Sequence, residues 1–370
     1  MLRSYDQLGE LILWPALIAA RGRASSFSQW KNKVGFEFSA ECHYLNAANM
    51  DGYAGGDAGT CYLSVCDAVA YAMLDLFSFL FSVPTFFAAV GDSTLEDLER
   101  VANREKPAGY GFFRRSKAQV IDFERDIVAP KCSIRGLAAL YFSGMAMDMI
   151  WTHELSHGVH GHIDFAKASL GLRALNEQPR GEGDLRLMPM EAEADRFAVI
   201  SIVQTAMVGD AAPYLPRQLA SLSPEIRVTS ALVVAALLTW FWAFQQRIDR
   251  TYDGFDPYTT GSHPPPLVRL HIAFDVARQF LSQQGWTITM IEKIVFEAMI
   301  NLEALAAAKS WFSILDPARS FGEQANGFVR DVKRIMGDSY REIEASLAPY
   351  RFSKPSQPNE PLNSPSPVLK

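Results

Sequence analysis

The 370-residue sequence has few cysteines, and they form no regular framework. The chain contains four, with no Cys-x-x-Cys pair and no regular spacing: Cys42, Cys61, Cys66 and Cys132. This pattern excludes a disulfide scaffold and indicates ordinary thiols of a reducing compartment. We therefore expect a cytoplasmic protein.

The sequence also lacks a block of basic residues. Its 35 Lys and Arg residues against 41 Asp and Glu residues give a formal net charge of -6, which argues against nucleic acid as a partner. Hydrophobic residues make up 49% of the chain, enough for a large buried core. We predict one domain over residues 1–350, whose helical C-terminal part covers about 264–350. A disordered tail rich in Pro and Ser is predicted at 351–370.

Long hydrophobic runs are scarce. Residues 11–20 form one, but Glu10 precedes it and no small-residue cleavage site follows, so we interpret it as a helix of the mature chain. Residues 228–244 are strongly apolar and reach the short limit for a membrane span. No second span accompanies them, because Asp75 interrupts the apolar run at 68–90. A core helix at 228–244 is favoured, and inner-membrane association is the alternative.

Apolar periodicity and turn residues predict a mostly helical α+β fold with a small sheet. Half-buried strands are expected at 34–44 and 61–65, separated by a Gly-rich loop. Residues 164–184 are short, polar and Gly-containing, and are expected to form a surface connection. Helices are expected at 5–20, 67–81, 137–160, from Pro189 onward, and at 225–250, 264–283, 288–308 and 319–347.

The most informative stretch is residues 151–160, which contains His153, Glu154 and His157 in the pattern His-Glu-x-x-His. On a helix, two histidines four positions apart lie on one face, so both imidazoles can bind one cation. Glu154 would be within reach of a water molecule at such a cation. Zinc is the catalytic metal that takes imidazole and carboxylate ligands, so we predict a Zn2+ cofactor. The apolar residues 137–150 place the motif at the end of a buried helix, where unpaired polar groups are costly.

Two histidines leave a zinc site incomplete, and three sources compete for the third ligand. His160 returns to nearly the same face but lies about 10 Å along the helix axis. An extended His-Glu-x-x-His-x-x-Gly-x-x-His motif is excluded, because Ile163 occupies its last position. At the acidic start of the next helix, Glu191 and Asp195 share one face, whereas Glu193 points away. We expect Glu191 to be the third ligand and Asp195 to orient a histidine; the alternative is that these acids only cap the helix.

The His-Glu-x-x-His motif followed by Glu-x-x-x-Asp resembles the gluzincin metallopeptidases, especially the HtpX and CAAX prenyl protease type. The resemblance implies that Glu191 is the zinc ligand, as the first Glu of that acidic motif is in the family. Residues 262–270 resemble the family's His-Pro-x4-Arg element, which implies that His263 approaches the zinc as an extra ligand or an oxyanion partner. Asn46 and Ala47 are similar to the family's Asn-Ala edge strand, which implies substrate binding there.

The run from His157 to His162, which includes His160, also resembles the phage-exclusion peptidases of the Lit type. These bacterial proteins are implied to cleave a host translation factor during infection. The matching motifs span residues 45–270 and leave the rest of the chain uncovered. The interval between His157 and Glu191 has no room for the extra membrane helices of HtpX-type proteins, so their transmembrane assignment is not transferred.

These observations lead us to expect a zinc-dependent endopeptidase with a zincin-like fold, a small sheet beside the motif helix and a helical C-terminal half. Its substrate would be a protein or peptide, with Glu154 as the general base. Two alternatives stay open: a catalytically silent metal-binding regulatory protein on a metallopeptidase fold, and a membrane-associated metalloprotease. The intact Glu154 favours the enzyme, because a decayed site would often have lost it.

Overall fold

The computed structural model describes residues 9–46, 52–97, 99, 128–172, 186–209, 214–249, 263–307 and 323–353. These residues are mostly helical and include one three-stranded mixed sheet. The mostly helical α+β class predicted from the sequence is therefore confirmed. The sheet packs against the long helix that contains His153.

The sheet consists of β1 (Ser39–Leu45), β2 (Gly52–Asp57) and β3 (Thr60–Cys66) in the order β1-β3-β2. The central strand β3 runs parallel to β1 and antiparallel to β2. The predicted strands at 34–44 and 61–65 correspond to β1 and β3, although β1 begins later than expected. The strand β2 was predicted to be a loop, because its sequence is Gly-Tyr-Ala-Gly-Gly-Asp and glycine disfavours strands.

A tight turn at Ala58 and Gly59 joins β2 to β3, and both residues have positive φ. The carboxylate of Asp164 accepts hydrogen bonds from the backbone N–H groups of both. Asp164 lies in the short helix α4 (His162–Phe165) and is buried. The predicted surface connection at 164–184 therefore begins later than expected, because Asp164 holds the hairpin in place.

The first long helix, α1 (Trp14–Ser26), continues past the point where the sequence predicted its end, before Arg21. Tertiary contacts stabilise the extra turn. The Arg21 guanidinium donates to the backbone oxygen of Cys42 in β1 at 3.0 Å. Arg23 forms a salt bridge with the fully buried Asp148 of the motif helix. These contacts outweigh the low helix propensity of the glycine between the two arginines.

The helices α2 (Asp67–Phe81) and α3 (Ser133–Val159) pack against each other, and α2 is buried along its whole length. The start of α3 is fixed by Arg135, whose side chain is completely buried. Its guanidinium donates hydrogen bonds to backbone carbonyls at the end of α2 and in the segment after it: those of Phe81, Val83, Phe86, Phe87 and Val90. Glu96 accepts the backbone N–H groups of the two residues that precede α3. The motif helix is thus held rigidly at its N-terminal end.

The C-terminal half contributes a further layer of helices around α3: α5 (Leu187–Val208), α6 (Pro224–Asp249), α7 (Pro266–Gln283), α8 (Ile288–Ala307) and α9 (Glu323–Leu347). Their ends lie within a few residues of the predicted ones. The helix α5 packs along α3, and α6 packs against α5, α7 and α8. Short helical turns complete the described secondary structure at Gly9–Leu13, Ser93–Leu95, Ala166–Leu170 and Arg217–Leu219.

Residues 228–244, whose membrane role the sequence left open, belong to α6. Positions 228–239 are buried against the neighbouring helices, which agrees with the core helix favoured from the sequence. Among the residues that the structure describes, no helix combines the length and the apolar character that crossing a bilayer requires.

The segment 349–353 closes over the C-terminal end of α3. The backbone N–H of Phe352 donates to the carbonyl of Val159, the last residue of α3, at 3.0 Å. Ser353 exchanges two backbone hydrogen bonds with the turn that precedes β1. The tail predicted from position 351 therefore begins with packed residues, and 354–370 lie outside the described part of the chain.

The connection between α3 and α4 yields a stability prediction at Gly161, where φ is +74°. A Cβ there would overlap the carbonyl group of Tyr350. We expect Gly161→Ala to lower the free energy of unfolding by about 3 kcal/mol, because left-handed strain and a backbone clash add. Gly171 is a matched control: its φ is +69° but no atom lies within 4 Å, so Gly171→Ala should cost about 1 kcal/mol. Equal losses in urea denaturation followed by circular dichroism would contradict the close contact.

Candidate metal centre

Two packed helices carry the predicted metal ligands. His153 and His157 lie one turn apart on one face of α3, and Glu191 lies near the start of α5. All three side chains are buried. Because α3 and α5 pack along each other, the carboxylate of the second helix reaches the two imidazoles of the first.

The ligand atoms of the three residues converge on one point. The Nε2 atoms of His153 and His157 lie 3.2 Å apart. One carboxylate oxygen of Glu191 lies 3.2 Å from the first Nε2, and its other oxygen lies 3.6 Å from the second. One ligand atom from each residue can be chosen so that all lie within 4.8 Å of one another. The group is therefore close enough to bind a single metal ion.

The first histidine is held from behind by an ion pair. Asp195, one turn after Glu191 on α5, has a carboxylate oxygen 3.1 Å from Nδ1 of His153. The same carboxylate receives two hydrogen bonds from the Arg269 guanidinium of α7, at 2.7 and 2.6 Å. Burial raises the pKa of Asp195, but Arg269 and His153 outweigh burial and lower that pKa to about 2. The Asp195 carboxylate therefore lies against His153 on the side away from Glu191, and the orienting role expected from the sequence stays a prediction.

The second histidine is held by another route. Its Nδ1 atom lies 3.0 Å from Nδ1 of His162 in α4. The Nε2 atom of His162 lies 3.1 Å from a carboxylate oxygen of Glu193, to which Arg351 donates at 2.7 Å. The sequence indicated only that Glu193 points away from the ligands. Glu193 does lie away from the candidate metal ligands. Its carboxylate contacts His162, the residue whose imidazole contacts His157.

The two ligand histidines have opposite electrostatic environments. Burial by itself lowers the pKa of His153, but Asp195 and Glu191 outweigh it and raise that pKa to about 10. Burial lowers the pKa of His157 well below its usual value, and the neighbouring histidines add to this effect against the carboxylate of Glu191. The carboxylates of Asp195 and Glu191 favour a positive charge on His153. A cation bound between His153, His157 and Glu191 would supply that charge in place of the proton.

Glu154 lies between α3 and the sheet and is buried. It faces Gly52, the first residue of the edge strand β2. A Cβ at Gly52 would lie 2.8 Å from Cδ and 3.0 Å from Cγ of Glu154, so the strand backbone approaches this side chain more closely than any other residue type would allow. Sequence reasoning missed Gly52, because in a Gly-rich segment one glycine gives no separate signal.

His263 lies directly before the prolines that begin α7, and its Nε2 atom is 3.3 Å from Glu191. Its side chain is 40% exposed, whereas that of Glu191 is 5% exposed. The structure therefore brings His263 to the ligand carboxylate, on the side of the site that opens to solvent. Glu191 and His263, which are 72 positions apart in sequence, thus meet at one place.

The other predicted residues lie elsewhere. Asn46 is exposed and follows β1, which is separated from β2 by the central strand. It is therefore on the opposite edge of the sheet from the strand that contacts Glu154. Ala47 lies outside the described residues. His160, which the sequence considered and set aside as a ligand, lies 2.8 Å from the Ser156 hydroxyl through its Nδ1 atom.

Comparisons with known proteins identify no relative of this chain. No protein-family model matches the chain, and no curated protein sequence or solved structure matches it. The gluzincin resemblance therefore depends on the motifs alone, and the function must be argued from the side chains that meet at the centre.

Proposed function

We propose that this protein is a zinc-dependent endopeptidase with a zincin-like arrangement of helix and sheet. The observation that carries the proposal is the convergence of His153, His157 and Glu191 on one point, next to Glu154 on the same helix. Two imidazole nitrogens and a carboxylate oxygen are a ligand set of catalytic zinc sites. When bound, zinc lowers the pKa of a water molecule and polarises a carbonyl group.

Glu154 is proposed to be the general base. Its carboxylate takes a proton from the water that attacks the scissile carbonyl and delivers it to the leaving nitrogen. His263 is proposed to hold the negative charge that develops on the carbonyl oxygen. Its position beside Glu191 and its partial exposure support this role, because a substrate carbonyl must approach from the solvent side.

The proposed substrate is an extended peptide held along β2. Among the described residues, β2 pairs with β3 on one side and with no strand on the other. A free strand edge binds a peptide through backbone hydrogen bonds without regard to its sequence. The contact between Gly52 and Glu154 would bring the backbone of such a peptide to the base. This edge takes the place that the resemblance assigned to Asn46 and Ala47.

We further propose that the enzyme acts on proteins in the cytoplasm. The four cysteines are buried and free, which supports a reducing compartment. A role in bacterial phage defence fits the likeness of the histidine-rich run to Lit-type peptidases. In that setting the enzyme would be silent until a phage component arrives.

The metal assignment is tested by elemental analysis of the purified protein. We expect about one zinc ion per chain, lost in His153→Ala because two donors cannot hold zinc tightly. His43→Ala is the matched control, since His43 is an exposed histidine of β1 that contacts Glu41. Zinc at wild-type stoichiometry in His153→Ala, with circular dichroism unchanged, would contradict the site.

The catalytic role of Glu154 is tested by comparing the proteomes of cells that express the wild type and Glu154→Gln. New protein termini should appear with the wild type, with and without phage infection as separate arms. The glutamine variant should keep its zinc but cleave at least about 100-fold more slowly, because an amide cannot accept the proton. Equal cleavage by both proteins would exclude Glu154 as the base, and absence of cleavage in every arm would favour the silent metal-binding alternative.

The approach of β2 to the base yields a further prediction. Gly52→Ala should displace Glu154 and lower kcat for an identified substrate by about 100-fold, because small misplacements of a catalytic group are costly. Zinc content should not change. Gly136→Ala on the same helix as Glu154 is the control, since an added Cβ there meets no atom within 4 Å. A Gly52→Ala enzyme as active as this control would show that the contact has no catalytic role.

A further inference from the structure

The zinc ligand His157 is connected to a chain of polar groups that the proposed reaction does not use. The chain runs from Nδ1 of His157 to His162, from His162 to Glu193, and from Glu193 to Arg351. His162 has no exposed surface, and Glu193 is 21% exposed at its side chain. A buried imidazole placed between a ligand and a carboxylate has two hydrogen bonds to satisfy, and both are present here.

Metal binding through Nε2 of His157 would fix the direction of each hydrogen bond in this chain of polar groups. In the proposed site, Nε2 of His157 binds the zinc. The other nitrogen of the neutral ring, Nδ1, then carries the proton. That proton can be donated only if Nδ1 of His162, 3.0 Å away, presents its lone pair. His162 then carries its own proton on Nε2, where the Glu193 oxygen at 3.1 Å accepts it. Both tautomers follow from one requirement, that His157 binds through Nε2.

The carboxylate at the end of the chain contacts two donor groups. One of its oxygens lies 3.1 Å from Nε2 of His162 and receives a hydrogen bond from the guanidinium of Arg351 at 2.7 Å. Arg351 belongs to the segment that closes over the end of α3, and it also contacts the hydroxyl of Tyr340 in α9. The carboxylate is therefore held in place by three elements of the fold.

We infer that His162 and Glu193 are positioning residues for the metal ligand His157, through a carboxylate–histidine–histidine chain. The inference rests on the proposed zinc site. Glu193 fixes the tautomer of His162, and His162 fixes the ring plane of His157 and makes its Nε2 a stronger donor. A ligating histidine usually donates directly to a carboxylate, and such partners change metal affinity by about 10- to 100-fold. Asp195 lies 3.1 Å from Nδ1 of His153 in a position of this kind. At His157, a second imidazole lies between the carboxylate and the ligand.

A purely structural role for these residues makes a different prediction. His162 and Glu193 would then matter for the stability of the fold, and any variant that folds would bind zinc as the wild type does. A positioning role affects zinc affinity in folded protein, and a side chain that reproduces the hydrogen bonds restores it. The two roles are therefore separated by affinity measured on folded variants.

The experiment measures the dissociation constant for zinc by competition with a chromophoric chelator. We expect His162→Phe and Glu193→Gln to weaken zinc binding by about 10-fold. His162→Gln should recover most of the affinity, because its amide oxygen can accept the proton of His157 while its amide nitrogen donates to Glu193. The control is Ser156→Ala, which removes a buried hydrogen bond to His160 in the same region without touching the chain.

A second measurement on the wild type remains decisive even if His162→Phe does not fold. In zinc-loaded protein labelled with nitrogen-15 histidine, NMR should show His157 protonated at Nδ1 and His162 protonated at Nε2. His162 protonated at Nδ1, or a zinc affinity in Glu193→Gln equal to those of Ser156→Ala and the wild type, would overturn the inference. A wild-type protein that binds no zinc would instead overturn the proposed function, so the two failures are distinguishable.

Discussion

The structure depends on the approach of Glu191 to the two histidines of α3. Placing two imidazoles and a carboxylate inside an apolar interior is costly unless their atoms are paired or bound to a cation. Here they face one another at 3.2 to 3.6 Å, so each group satisfies the others. The packing of α3 against α5 holds these three side chains together, and Asp195 contacts His153 from the same helix as Glu191.

The groups that contact the Nδ1 atoms of His153 and His157 differ from each other. Behind His153, an ionised carboxylate and the Arg269 guanidinium form a bidentate ion pair, which is strong and directional. On the far side of His157, the contacts are with the imidazole of His162 and, beyond it, the carboxylate of Glu193. Each histidine thus contacts a different helix beyond α3: His153 contacts Asp195 of α5, and His157 contacts His162 of α4. Rigid ligands of this kind are what a site with an open coordination position requires.

The sequence predicted the helices and the ligand group, because both depend on short-range patterns. The spacing of His153 and His157 is set by helix geometry, and the acidic start of α5 has its own signature. The sequence did not predict β2, since glycine-rich strands have no alternating pattern, nor the extra turn of α1, which tertiary contacts of Arg21 and Arg23 stabilise. It also left Glu193 without a role, because no local pattern indicates that α4 and the segment 349–353 bring His162 and Arg351 to it.

Exposure decides how a substrate can reach this centre. The three ligands and Glu154 are buried, whereas the His263 side chain beside Glu191 is 40% exposed. Among the described residues, the start of α7, where His263 precedes three prolines, is therefore a partly exposed approach to the centre for the proposed substrate. Proline restricts the residue before it to extended conformations, so the backbone of His263 has little freedom to move away from the ligand carboxylate. The prolines after His263 thus restrict the backbone of this partly exposed histidine beside the buried site.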